Sequence, residues 1–226
     1  MSSIPDASCA ECPFPSDDRI CRAEGGRHPD DCPTVTQQEA LEEALREYDR
    51  DGTRRFALQA SIQEAEGYAG RGTDAVMPAK PRIVEIAEFA RRMGYSHLGL
   101  IFCGGLTREA AVVARFYRDQ GFRVTSAICK VGRVPKERIG VRDDQKISIG
   151  RHESMCNPIT QATIMNRAGT ELNVVLGLCV GHDSLVFKHS EAPCTVLAAK
   201  DRVLGHNPLA AVYTMQGYYK HLTRKP

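Results

Sequence analysis

At 226 residues the chain is too long for a disulfide-stapled miniprotein and long enough for one core domain with an appendage. Thirty basic residues against 28 acidic ones leave a net charge of +2, and with no Trp and only 6% aromatics this excludes a nucleic-acid surface or a base-stacking platform. No apolar run reaches the roughly 18–20 residues of a membrane span, and the opening MSSIPDASCAEC lacks the basic and apolar regions of a secretory signal. A cytoplasmic location is therefore expected, where nine cysteines stay reduced and clustered ones serve metal binding or catalysis.

Residues 1–34 read as a cysteine-rich loop segment. Cys9, Cys12, Cys21 and Cys32 place four thiols within a short stretch, the first two at the C-x2-C spacing that grips one ion from a single turn. Prolines follow Cys12 and Cys32 and stiffen the ligand loops. The spacing matches neither a zinc ribbon nor a ferredoxin, so it predicts a metal without choosing between zinc and an iron–sulfur centre. His28 is a spare donor.

Residues 35–93 read as helices packed on the core. Thr36 and Glu39 predict a capping box ahead of Ala40, Leu41, Ala44, Leu45 and Tyr48. Phe56, Ala57, Ala60 and Ile62 mark a second helix. Pro81 opens a third, which ends at Gly94.

Residues 94–226 alternate strand and helix. Strands are predicted at 97–102, 124–128, 173–178 and 195–199. Helices follow Thr107, Pro158, His182 and Pro208. This is the pattern of an α/β domain: an open, mainly parallel, Rossmann-like sheet with helices on both faces. With the cysteine-rich metal-binding segment in front, the expected divisions are 1–34, 35–93 and 94–226.

Chain direction then supplies a site. Parallel strands deliver their carboxyl ends to one edge, where ligands bind. Cys103, Cys129 and Cys179 fall at such ends, and Cys156 closes the connection leaving the second strand. Cys194 opens the fourth strand and belongs to the opposite edge. Gly104 and Gly105 allow close backbone approach beside Cys103. The stretch Lys130–Arg151 carries seven basic residues against three acidic ones and reads as a basic lid drawing in an anion. Asp201, Arg202 and His206 follow the last strand.

Three readings fit these residues. In the first, Cys103, Cys129 and Cys156 or Cys179 hold a four-iron cluster with one open iron. Such a site suits sulfur transfer, sulfur removal or a small redox step, with His182 and Asp183 moving protons. In the second, the protein carries metal or a small ligand without turnover and has a structural zinc at its N-terminus. In the third, Cys179 is a nucleophile activated by His182. A small, anionic substrate is expected in the first and third; no nucleic acid or membrane is expected as a partner, and the sequence leaves the oligomeric state open.

The segments ESMCNPITQA and VVLGLCVGHDSLVFKHSEAPCTVLAAKDRVLGHNP, with the leading cysteines, resemble a bacterial family catalogued as domain of unknown function 1847. Its members are often labelled predicted metal-binding proteins. The resemblance covers the whole chain and implies metal at Cys9, Cys12, Cys21 and Cys32. It draws attention to Cys156, Cys179, His182 and Asp183, which lie within the shared segments, and it implies no reaction.

Overall fold

Pro33 opens the first α-helix among the described residues. The computed structural model describes residues 6–223, so the outermost ends of the expected first and last segments lie outside the described residues. Two compact units, residues 1–62 and 63–226, divide the chain.

In the first unit, α1 (Pro33–Thr36) is followed by α2 (Gln38–Tyr48), and α3 (Asp51–Glu66) runs across the division. The capping box expected at Thr36 and Glu39 does not form. Pro33 pre-sets a turn that already includes Thr36, whose hydroxyl donates to the Cys32 carbonyl at 3.0 Å; Gln37 takes the cap position instead. No residue of α2 is fully buried.

The second unit begins with a small antiparallel pair, β1 (Tyr68–Ala69) and β2 (Met77–Pro78), which the sequence pattern did not announce. Next come α4 (Arg82–Met93), β3 (His97–Phe102), α5 (Thr107–Asp119), β4 (Arg123–Ile128), α6 (Pro158–Ala168), β5 (Leu172–Leu176), α7 (His182–His189), β6 (Cys194–Ala198) and α8 (Leu209–Tyr213). β3 to β6 pair in parallel throughout, in the order β4-β3-β5-β6. The four predicted strands are present, each within two residues of its expected bounds at either end.

Side-chain alternation sorts the core into two layers. Leu98, Leu100, Leu172, Val174 and Leu176 face Ile86 and Ala90 of α4 and Ala110, Val113 and Tyr117 of α5. On the other side Ile101, Ala127 and Val175 pack with Met165 of α6 and Val186 of α7. Helices thus cover both faces, which is why the central strands read as unbroken apolar runs. The chain winds outward from β3 to β4, then crosses back to β5. Between β3 and β5 the winding reverses, and the crevice outside the carboxyl ends at such a point is where open parallel sheets receive ligands.

Candidate functional site

Cys103, Cys129 and Cys156 come together where two connections leave the sheet and one of them returns. Cys103 leaves β3 at the head of a tight turn, its N–H donating to the Leu176 carbonyl at 3.1 Å. Cys129 continues the pairing of β4 by donating to the Phe102 carbonyl at 2.9 Å, and its side chain is only 1% exposed. Residues 130–156 then leave the sheet and come back. The Asn157 N–H closes the excursion on the Cys129 carbonyl at 2.7 Å, setting Cys156 beside Cys129 with sulfurs 3.8 Å apart. The Gly104 N–H points at the Cys129 sulfur from 3.2 Å.

Buried Gln161 of α6 fastens this corner. Its amide donates to the Phe102 and Ala127 carbonyls at 3.1 and 2.7 Å, tying the ends of β3 and β4 together. Asn157 caps the same helix, its side chain accepting from the Thr160 N–H.

Cys179 arrives by a different turn. Gly177 takes a left-handed backbone (φ +64°) that swings the chain out of β5. The Arg202 guanidinium donates to the Cys179 sulfur at 2.9 Å. Cys103, Cys129, Cys156 and Cys179 all line one open-mouthed cavity of about 940 Å³, with His182, Lys130, Lys136, Lys200 and Arg202. Lys200 stands next to Cys103: a methyl group built on Gly105 would lie 3.6 Å from the Lys200 ammonium and 3.9 Å from the Cys103 sulfur.

The electrostatics follow from contact. Cys129 keeps its proton and offers it to neighbouring sulfurs, which with burial pushes its own thiol far up. Hydrogen bonding from Cys129, the Gly105 N–H and Lys200 brings Cys103 down to about 4 against the opposing effect of burial. Cys156 falls to about 5, chiefly through Cys129 and then through the charges of Lys130 and His182. The three sulfurs therefore share protons as one group, in which Cys129 is the least acidic member and Cys103 and Cys156 are the more acidic ones.

The expected lid is ordered by its own ion pairs. Lys136 holds Glu153 at 2.6 Å, and the covered ammonium of Lys146 holds Asp143 at 2.9 Å and Glu137. Backbone bonds from Lys136 to Glu153 and from Met155 to Val134 draw its two limbs together. Part of the positive charge counted in this stretch is therefore neutralised locally. Lys130 spends a proton on the Ser154 carbonyl but still bears on Cys156.

Other expected residues stand elsewhere. Asp183 does not line the cavity; its carboxylate accepts from the Ser184 N–H at 2.8 Å. Cys194 begins β6, at the far end of the strands, and packs with apolar side chains. Asp201 and His206 build a local turn, in which the Asp201 N–H donates to the His206 ring. His182 does line the cavity, and its Nδ1 is buried without a hydrogen-bond partner among the described residues. Two contributors went unnoticed in the sequence. Lys200 had a signal, since it follows the last strand directly; Gln161 had none.

The Cys129 and Cys156 sulfurs, 3.8 Å apart, lie within the width of a cluster and also at the spacing of two ligands of one ion. Cysteine sulfurs on different irons lie roughly 6–7 Å apart, and about 3.8 Å separates two thiolates sharing one tetrahedral ion with 2.3 Å bonds. As they stand, no three His, Cys, Asp or Glu side chains converge on one ion among the described residues, at the edge or around the N-terminal cysteines alike.

In the first unit, Cys9, Cys12, Cys21 and Cys32 line a small cavity of about 70 Å³ together with Arg19, Arg27 and Asp31. The C-x2-C pair is a single turn, with the Cys12 N–H on the Cys9 carbonyl. Arg27 stacks on the Phe14 ring at 4.5 Å, and Arg19 donates to the Phe14 carbonyl at 2.8 Å, giving the segment a small frame of its own. His28 lies outside this cavity lining.

A family described as "Protein of unknown function (DUF1847)" matches residues 32–197. The chain belongs to that family. An uncharacterised protein of Methanocaldococcus jannaschii is 39% identical over 178 residues, covering 79% of this chain and 86% of that protein. The family match takes in β3, β4, β5, most of β6 and all four edge cysteines, but starts at Cys32 and so leaves out Cys9, Cys12 and Cys21. No helix among the described residues is long and apolar enough to cross a membrane.

Proposed function

We propose that this protein acts on a small anionic molecule through the thiolates at the carboxyl edge of its Rossmann-like sheet, and binds a metal ion with its N-terminal cysteines. Sulfur transfer and two-electron thiol redox are the reactions such an edge performs. The observation that carries the reading is the cavity wall: four cysteines, with Cys129 against both Cys103 and Cys156, facing Lys130, Lys200 and Arg202. Cations beside thiolates stabilise the reactive form and attract an anion to it. His182, with an unpartnered ring nitrogen on the same wall, is placed to hold a proton for a leaving group.

For the metal, four thiols around one small cavity are a donor set suited to a single tetrahedral ion such as zinc. Cys9, Cys12, Cys21 and Cys32 would close on it, and the ion would contribute ordering of the segment rather than a reaction step.

Paired alkylation tests the edge. Iodoacetate and iodoacetamide differ in charge, so their rate ratio at Cys103 and Cys156, set against the same ratio in the unfolded chain, reports the field in the cavity. A ratio shifted toward iodoacetate is expected and should fall in Lys200→Gln. An unshifted ratio refutes the anion site. Metal and sulfide analysis after anaerobic purification tests the N-terminus. Metal should be lost in Cys12→Ser and kept in Cys103→Ser; metal retained in Cys12→Ser refutes that assignment.

A further inference from the structure

Cys129 is almost closed to solvent beside two more exposed cysteines. It is 1% exposed, touches Cys156 at 3.8 Å, and shares its proton with Cys103. Cys103 and Cys156 are half-buried and look into the cavity. A buried cysteine flanked by two partly exposed ones on a cavity wall is an arrangement for passing a disulfide inward. We propose that Cys103, Cys129 and Cys156 form a three-thiol exchange relay that reduces a small anionic disulfide, with Cys103 as nucleophile and Cys129 as resolving thiol. This rests on the reading of the edge cavity as a thiolate site for anions.

The choice of Cys103 comes from its surroundings. The Lys200 ammonium stands over the glycine turn beside it, where the anionic group of a substrate would sit. The Gly104 N–H, 3.2 Å from the Cys129 sulfur, is placed to stabilise negative charge there once Cys129 gives up its proton.

The steps balance as follows. The Cys103 thiolate attacks one sulfur of R–S–S–R; a Cys103–S–S–R bond forms and the substrate S–S bond breaks. The departing thiolate takes the proton held by Cys129 and leaves as R–SH. Cys129, now a thiolate, attacks the Cys103 sulfur, expelling the second R–S⁻ and forming a Cys103–Cys129 disulfide. The Cys156 thiolate then attacks Cys129, moving the disulfide to Cys129–Cys156 and returning Cys103 as a thiolate. The pair closes from 3.8 Å to the roughly 2.05 Å of a disulfide, within reach of side-chain rotation. Two electrons pass from protein to substrate, and a reduced dithiol, small molecule or protein, resets the pair.

The test uses the reduced full-length protein and a substoichiometric amount of the disulfide of thionitrobenzoate, an anionic probe that releases a coloured thiolate. Acid quenching, alkylation and peptide mapping by mass spectrometry then locate every sulfur bond. Wild type should release both thiolates of each probe molecule and map a Cys129–Cys156 disulfide. Cys129→Ser should release one and keep the adduct on Cys103. Cys156→Ser should stop at Cys103–Cys129. Cys103→Ser should slow release by on the order of tenfold or more. An adduct on Cys156 or Cys179 in Cys129→Ser overturns the relay and leaves the thiolate cavity standing. Labelling spread over Cys194 and the N-terminal cysteines with no preference for the edge overturns both. Wild-type mapping decides the matter by itself should a variant fail to fold.

Discussion

Replacing Gly177 by alanine should destabilise the second unit by about 2–5 kcal/mol and disturb Cys103 from the other side of the edge. Two costs add. At φ +64° an L side chain meets the left-handed penalty, about 1–2 kcal/mol. The new methyl would also stand 2.2 Å from Leu106 Cδ1, closer than any real contact. Leu106 is 5% exposed and packed into the core, so it cannot swing away; relieving such a clash costs about 1–3 kcal/mol. Leu106 lies in the turn that begins at Cys103, so the strain passes directly to that thiol. Urea unfolding followed by circular dichroism reads the stability, with an unchanged m-value required for the comparison. Leu106→Ala alone should cost about 2–5 kcal/mol by opening a cavity. In the double variant the methyl occupies part of that space, so the combined loss should fall short of the sum by about 1–3 kcal/mol. A Gly177→Ala midpoint indistinguishable from wild type, or strict additivity in the double variant, would refute the packing argument.

The pH dependence of the edge is equally specific. Cys103 and Cys156 have folded values near 4 and 5 against an unfolded thiol near 9, so between those limits the unfolded chain binds more protons. Stability should therefore rise with pH from about 5 toward 9, with a shallower slope in Cys103→Ser. Above that range the retained proton of Cys129 reverses the sign. Alkylation of Cys103 by iodoacetamide should likewise be fast well below neutrality; a rate that climbs only near pH 9 contradicts the shared-proton corner. Lys136→Met removes the partner that holds Glu153 down to about 2, and the lid should be clipped faster by protease with little change in the global unfolding midpoint. Unchanged clipping would mean that the ion pair does not order the lid. Cys194→Ala should leave the alkylation pattern of the edge thiols untouched, since it lies at the other end of the strands; a changed pattern would place it in the wrong network.

The sheet was legible because buried parallel strands leave unbroken apolar runs, as in HLGLIF, and chain direction alone sends Cys103, Cys129 and Cys179 to one edge. Contact between sulfurs was not legible. It depends on the bond from Asn157 to Cys129, which joins the two ends of a long excursion that has no periodic signature. Cys179 and His182 share a cavity as their nearness in sequence suggested, but the Arg202 guanidinium that donates to the Cys179 sulfur lies more than twenty residues on and could not be foreseen. β1 and β2 escaped notice because two-residue strands are too short to alternate. Thr36 misled because a cap signature says nothing about a proline three residues earlier that has already begun a turn.

The clasp between Asn157 and Cys129 separates two kinds of variation. Everything from Lys130 to Met155 hangs from a fixed pair of backbone atoms, and the cavity residues Lys136, Ile139, Val141, Gln145 and Ile147 belong to that hanging piece. Insertions or exchanges there can reshape the mouth while the sulfurs keep their spacing, because strand ends and Gln161 hold the sulfurs independently. Relatives could thus diverge in what they admit while sharing one reactive corner. Their loops would record different small molecules, and the strand ends a common chemistry.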